Sequence, residues 1–108
     1  MIDGKIVAFS TIEEKFEALA GKWKSEKGPQ SSITRLSMHP AYQQIIGMGD
    51  LALPLIFHEL RARTDHWFWA LNAITGADPV PESSRGIMSD MTSAWLNWGK
   101  VHGYCQGD

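Results

Sequence analysis

Residues 66–76, His-Trp-Phe-Trp-Ala-Leu-Asn-Ala-Ile-Thr-Gly, are apolar almost all the way round a helix. Trp67, Leu71 and Ile74 share one face, while Phe68 and Trp69 point about 100° and 200° away from Trp67. A helix with no polar side belongs at the centre of a fold, covered by its neighbours. Any architecture for this chain must therefore wrap other elements around 66–76. At 108 residues the chain makes one domain, since domains run to about 100–150 residues. Few elements are left to do the wrapping. Covering every side of one helix is hard at this size, so at least one of the two indoles is expected to stay in water, beside His66 or Asn72.

The remaining segments also read as helices. Thr11 and Glu14 have the capping-box spacing, and Ile12, Phe16, Leu19 and Trp23 follow at steps of four, three and four. This predicts a helix over 11–25, with Glu13, Glu14, Glu17, Lys22 and Lys24 on its outer face and Gly28-Pro29 as its stop. Residues 28–38 read as a loop with one turn of helix. Pro40 after His39 marks a second start, because a proline at the first helical position sacrifices no hydrogen bond. Tyr42, Ile45 and Ile46 supply its inner face and Gly47 its C-terminal cap. Asp50 is expected to cap a third helix through Arg63, with Pro54 in its first turn and Leu53, Ile56, Phe57 and Leu60 inward.

Thr64-Asp65 is a tight connection, Asp65 the expected cap of the aromatic helix, and Gly76 its end. Pro79, Pro81 and Gly86 make 77–86 a loop. Met88, Met91, Trp95 and Trp98 then define a last helix that Gly103 terminates. No segment alternates like a strand. The expected fold is all-α, about five helices in a compact bundle. Residues 1–10 form an N-terminal extension, 11–104 a single helical domain and 105–108 a C-terminal tail.

Within that bundle, GMGDLALPLIFHELRARTDHWFWALNAITG resembles a HEAT-type helical hairpin over residues 47–76. Its first helix opens Gly-x-x-Ala-x-Pro-x-Leu, an Asp turn follows, and the second helix contains Ala-Leu. The basic residue usual early in the second helix is replaced by aromatics. Two further repeats at a fixed period, which a solenoid requires, are not found. The strings KWKSE, MHPAYQ, IIGMG, HWFWAL, ITG, DPVP, AWL and HGY together resemble a family of small uncharacterised bacterial proteins, over most of residues 11–104. That resemblance implies a bacterial setting and a single-domain format, and carries over no catalytic residue.

Charge narrows the function classes. The formal net charge is −2, and neither half of the chain holds a basic stripe or an acidic tail. Binding to nucleic acid or membrane by bulk charge is therefore not expected. No apolar run is long enough for a signal peptide or a membrane span. The single cysteine, Cys105, forbids an intramolecular disulfide and fits a reducing compartment. A cytoplasmic protein is the expectation.

Motifs for chemistry are sparse. His58-Glu59 opens like a zinc-protease motif, but Ala62 stands where its second histidine belongs. His102 and Cys105 lack a second pair of ligands, so no metal site or cofactor is expected. Gly47-Met48-Gly49 lacks the lysine of a phosphate loop. Lys22, Trp23, Lys24, Lys27 and Arg35 form a basic patch with one aromatic, the composition of a single-strand binder. Trp23, however, continues the buried face of the first helix.

Three functions follow in order. The leading one is a small protein-binding domain, because exposed Trp, Tyr and Arg are what binding hot spots are rich in. Its surface is expected on the third and fourth helices, at Tyr42, Arg61, Arg63, His66, Trp67, Trp69 and Asn72. In its most concrete form the protein is a neutralising partner of antitoxin or immunity type that occludes a toxin. The alternatives are a nucleic-acid module on the Lys22–Arg35 patch and an enzyme built around His39 and His66. The leading expectation is no enzyme.

Overall fold

The computed structural model describes residues 11–28 and 32–104. The extension 1–10, Pro29, the tail 105–108 and Cys105 lie outside these residues. Among the described residues there is no strand, and six α-helices form the bundle: α1 (Ile12–Glu26), α2 (Ile33–Met38), α3 (Pro40–Gly47), α4 (Leu53–Ala62), α5 (Phe68–Thr75) and α6 (Met88–Val101). Two short 3₁₀ turns, Gly49–Ala52 and Glu82–Ser84, lie in the connections before α4 and α6. The all-α architecture is the expected one. The sixth helix is α2, where a loop with one turn was anticipated; Ser32 starts it by accepting the Arg35 N–H.

α1 forms for the reasons its sequence suggests. The Thr11 hydroxyl accepts the Glu14 N–H at 3.0 Å, satisfying one of the donors that a helix start leaves open. Phe16, Ala20 and Trp23 are buried along one face, with Leu19 packed beside them. Ile12, assigned to the same face, is exposed. α3 starts at Pro40 as expected, and the His39 imidazole caps it through Nδ1 on the Ala41 N–H.

Three termini differ from expectation. α3 runs through Gly47, and the left-handed residue that turns the chain is Gly49, at φ 67°. Asp50 does not cap α4; it lies in the 3₁₀ turn, and α4 begins at Leu53 with Pro54 in its first turn. Asp65 does not cap α5 either. Its Oδ1 accepts the His66 N–H at 2.7 Å and the Lys27 ammonium at 2.6 Å, so the carboxylate is engaged before the helix begins. The aromatic helix has two turns, Phe68–Thr75, and Gly76, at φ 74°, ends it.

Packing centres on rings. Trp67 lies 4.8 Å from Trp23, 5.7 Å from Phe16 and 5.9 Å from Tyr42, centroid to centroid. All four are buried. The Trp23 indole N–H donates to the Leu36 carbonyl at 3.0 Å, pinning α2 to α1. Among the α-helices, α1 packs mainly on α3, α3 also on α5, and α4 mainly on α6. The helices of the 47–76 hairpin touch each other, but each makes more contact elsewhere, α5 with α3 and α4 with α6.

Candidate cleft beside Trp69

The two indoles of the aromatic helix part company. Trp67, the residue before the first turn of α5, is fully buried, whereas Trp69 is 52% exposed. Trp69 stands at an open cleft of about 330 Å³ bordered by α2, α3, α5, the 77–87 connection and α6. Leu36, Tyr42, Phe68, Val80, Met91 and Trp95 make an apolar lining. Ile33, 58% exposed, is a second apolar side chain at the cleft. Five polar residues complete the lining: Ser37, whose hydroxyl donates to the Thr34 carbonyl, and His66, Asn72, Asp78 and Arg85.

Each polar residue is placed by a local bond. The Asn72 Nδ2 donates to the Ala77 carbonyl at 2.8 Å, folding the connection back over the end of α5. Arg85 donates through Nη2 to Asp78 at 2.6 Å, an ion pair that closes a loop already stiffened by Pro79 and Pro81. The Gly86 N–H points to the Met91 sulfur at 3.3 Å, which orients one wall. His66 is held by its backbone alone: its N–H meets Asp65 and its carbonyl accepts the Tyr42 hydroxyl at 2.9 Å. Among the described residues its imidazole has no hydrogen-bond partner. His66 also borders a second hollow, of about 340 Å³, lined by Lys27, Thr64, Asp65 and Met88.

Tyr42 is the hinge pin of the arrangement. No side chain from α5 or its approach caps that helix. The Tyr42 hydroxyl, reaching across from α3, accepts the Ala70 N–H at 2.9 Å while donating to His66. One phenol thus satisfies an open donor at the helix start and the carbonyl just before it. Burial holds this phenol well above its usual ionisation range, so it stays a neutral donor.

The structure thus gathers four of the seven expected binding residues, Tyr42, His66, Trp69 and Asn72, at one cleft. One of the seven is corrected as a contact residue: Trp67 is fully buried in the core and is not among the residues lining the cleft. Tyr42 is buried with its hydroxyl engaged and belongs to the cleft only as part of its wall. Arg61 and Arg63, exposed on and just after α4, are not among the residues lining the cleft. Asp78, Arg85 and Val80 were missed. Their ion pair and inward turn come from a proline-rich loop whose sequence shows only that it is a loop.

The groups behind the alternative functions are elsewhere. Lys22 pairs with Glu26, Lys24 with Glu59 and Lys27 with Asp65, and Trp23 is too buried to stack a base. His66 lines both hollows described above, and His39 lines neither. The His39 Nδ1 accepts the Ala41 N–H, which leaves its Nε2–H to face Glu26 at 2.8 Å. No group of three or more His, Cys, Asp or Glu able to hold a metal ion occurs among the described residues, and no helix there is long and apolar enough to cross a membrane. No protein-family model matches the chain, and no curated protein or solved structure shows significant similarity to it.

Proposed function

We propose that this protein is a small binding domain that docks another protein over the Trp69 cleft. The observation that supports it most is Trp69 itself. A half-exposed indole beside an apolar hollow, with Ile33 also exposed there, is surface that water solvates poorly. Tryptophans in such positions dominate the energetics of protein interfaces. The helix that carries Trp69 is anchored in the core through Trp67 and Leu71, so the indole is presented on a rigid body and little order is lost on docking. A neutralising partner of antitoxin or immunity type is the specific form proposed, on the grounds of small size, mild acidity and a rigid helical body. The single cysteine favours a reducing compartment, and a cytoplasmic setting is proposed on that ground.

The test is affinity purification of the intact chain from cells that express it natively, with Trp69→Ala and Val101→Ala in parallel. Val101 is exposed on α6 and is not among the residues lining the cleft, so it controls for loss of any surface apolar group. A stoichiometric protein retained by the wild type and Val101→Ala but lost by Trp69→Ala is the expected result. Equal retention by all three, or no co-purifying protein under mild conditions, removes the proposal.

A further inference from the structure

The polar groups around the cleft also say what kind of group it takes. This deepens the protein-binding proposal and rests on it. Asp78 and Arg85 neutralise each other, so the cleft carries little net charge to recruit an ion. What remains is a mixture of donors and acceptors. The His66 imidazole has no partner among the described residues, Arg85 keeps N–H groups beyond the one on Asp78, and Asn72 keeps its Oδ1 because only its Nδ2 is engaged. A group that both donates and accepts while remaining neutral fits this set, and the peptide group does so.

The volume points the same way. About 330 Å³ is roughly twice the ~150 Å³ that houses a benzene ring in an apolar protein cavity. It is at the low end of the about 300–1,000 Å³ of small-molecule sites. One large side chain and its adjoining backbone match that space, and the aromatic lining of Tyr42, Phe68, Trp69 and Trp95 suits a ring.

We infer that the cleft seats a single aromatic side chain of the partner protein, with the partner's adjoining peptide group held by His66, Asn72 and Arg85. The ring packs against Trp69 and the apolar lining. The peptide N–H donates to the Asn72 Oδ1, and the peptide carbonyl accepts from the His66 imidazole or the Arg85 guanidinium.

The probe is N-acetylphenylalaninamide, which carries one ring and two neutral peptide groups. It is titrated at neutral pH into the isotopically labelled full chain, beside N-acetylphenylalanine, an anion, and phenylalaninamide, a cation. The expected result is saturable shifts of the Trp69 indole N–H and Asn72 amide signals. The neutral probe should bind about tenfold more tightly than either charged one, the scale of a charge left unpaired in an apolar cleft. His66→Ala should weaken the neutral probe severalfold without changing the melting temperature, because the imidazole has no hydrogen-bond partner among the described residues.

Tighter binding of the anion would make the cleft an acid site served by Arg85 and overturn the inference. Tighter binding of the cation would do the same in favour of Asp78. Equal binding of all three would show that only the ring is read, and the absence of saturable shifts that no such residue is seated. If Trp69→Ala still releases the partner while the neutral probe fails to bind, docking over Trp69 stands and the peptide-group site falls.

Discussion

The two sides of α5 make opposite use of the same residue type. On one side Trp67 closes a knot of rings with Phe16, Trp23 and Tyr42, from which water is excluded. On the other, two residues along, Trp69 borders an open cleft and keeps half its surface in solvent. The knot contributes dispersion and apolar burial; the cleft leaves the same kind of contact unmade until something fills it. The buried side thus serves stability, and the proposed docking surface lies on the opposite side of the same eight-residue helix.

The comparison breaks first at its buried end. Trp67→Ala should cost about 3–5 kcal/mol by leaving a ring-sized hole in the knot, measured by urea unfolding. Trp69→Ala should stay within about 0.5 kcal/mol of the wild type. Comparable losses at both positions would remove the division between the two sides.

Tyr42→Phe tests the pin between knot and cleft. The ring stays in place, but the Ala70 N–H loses its acceptor and the His66 carbonyl its donor. Loss of about 1–3 kcal/mol is expected, the cost of leaving a buried group unsatisfied. Faster hydrogen exchange at Ala70 should accompany it.

A smaller difference lies within the knot. The Trp23 N–H is bonded to Leu36, whereas the buried Trp67 N–H has no acceptor among the described residues. Trp23→Phe therefore removes a hydrogen bond along with volume, while Trp67→Phe removes volume and relieves a buried donor. Trp23→Phe is expected to be the costlier by about 1 kcal/mol, and the reverse order would show that ring volume alone sets the cost.

The smallest effect lies on the surface, away from both sides of α5. Glu26 is held below its ordinary value of about 4.5 by hydrogen bonds, first from Lys22 and then from His39. Its folded value lies below its unfolded one, so its contribution is complete above that value and disappears as pH falls through the folded one. Acid titration of the melting temperature should show a slight additional decline in the wild type that Glu26→Gln lacks. Because the group is solvent-exposed, this sets the scale of a solvent-screened contact against the knot.

Much of this division can be read in the chain. Apolar spacing in α1 picks out Phe16 and Trp23, Pro40 marks the start of α3 and Gly76 the end of α5. The 3.6-residue period alone separates Trp67 and Leu71 from Trp69. Periodicity could not say which side would find neighbours, since both sides are equally apolar. Nor could it find a cap for α5. The nearest candidate, Asp65, is drawn away by Lys27, 38 residues earlier, and Tyr42, 28 residues before Ala70, acts instead. Such bonds join elements that become neighbours only once packed.

By itself, the sequence determined that the chain would be helical, where α1 and α6 would begin and end, and that one helix was too apolar for one face. Those are local properties, set by backbone geometry and side-chain spacing within a few turns. Tertiary structure alone decided which indole would be buried, that a tyrosine would cap a distant helix, and that Asp78 and Arg85 would meet at a cleft. Each depends on what lies across from a residue, and that is fixed only when all six helices compete to cover the same apolar surface.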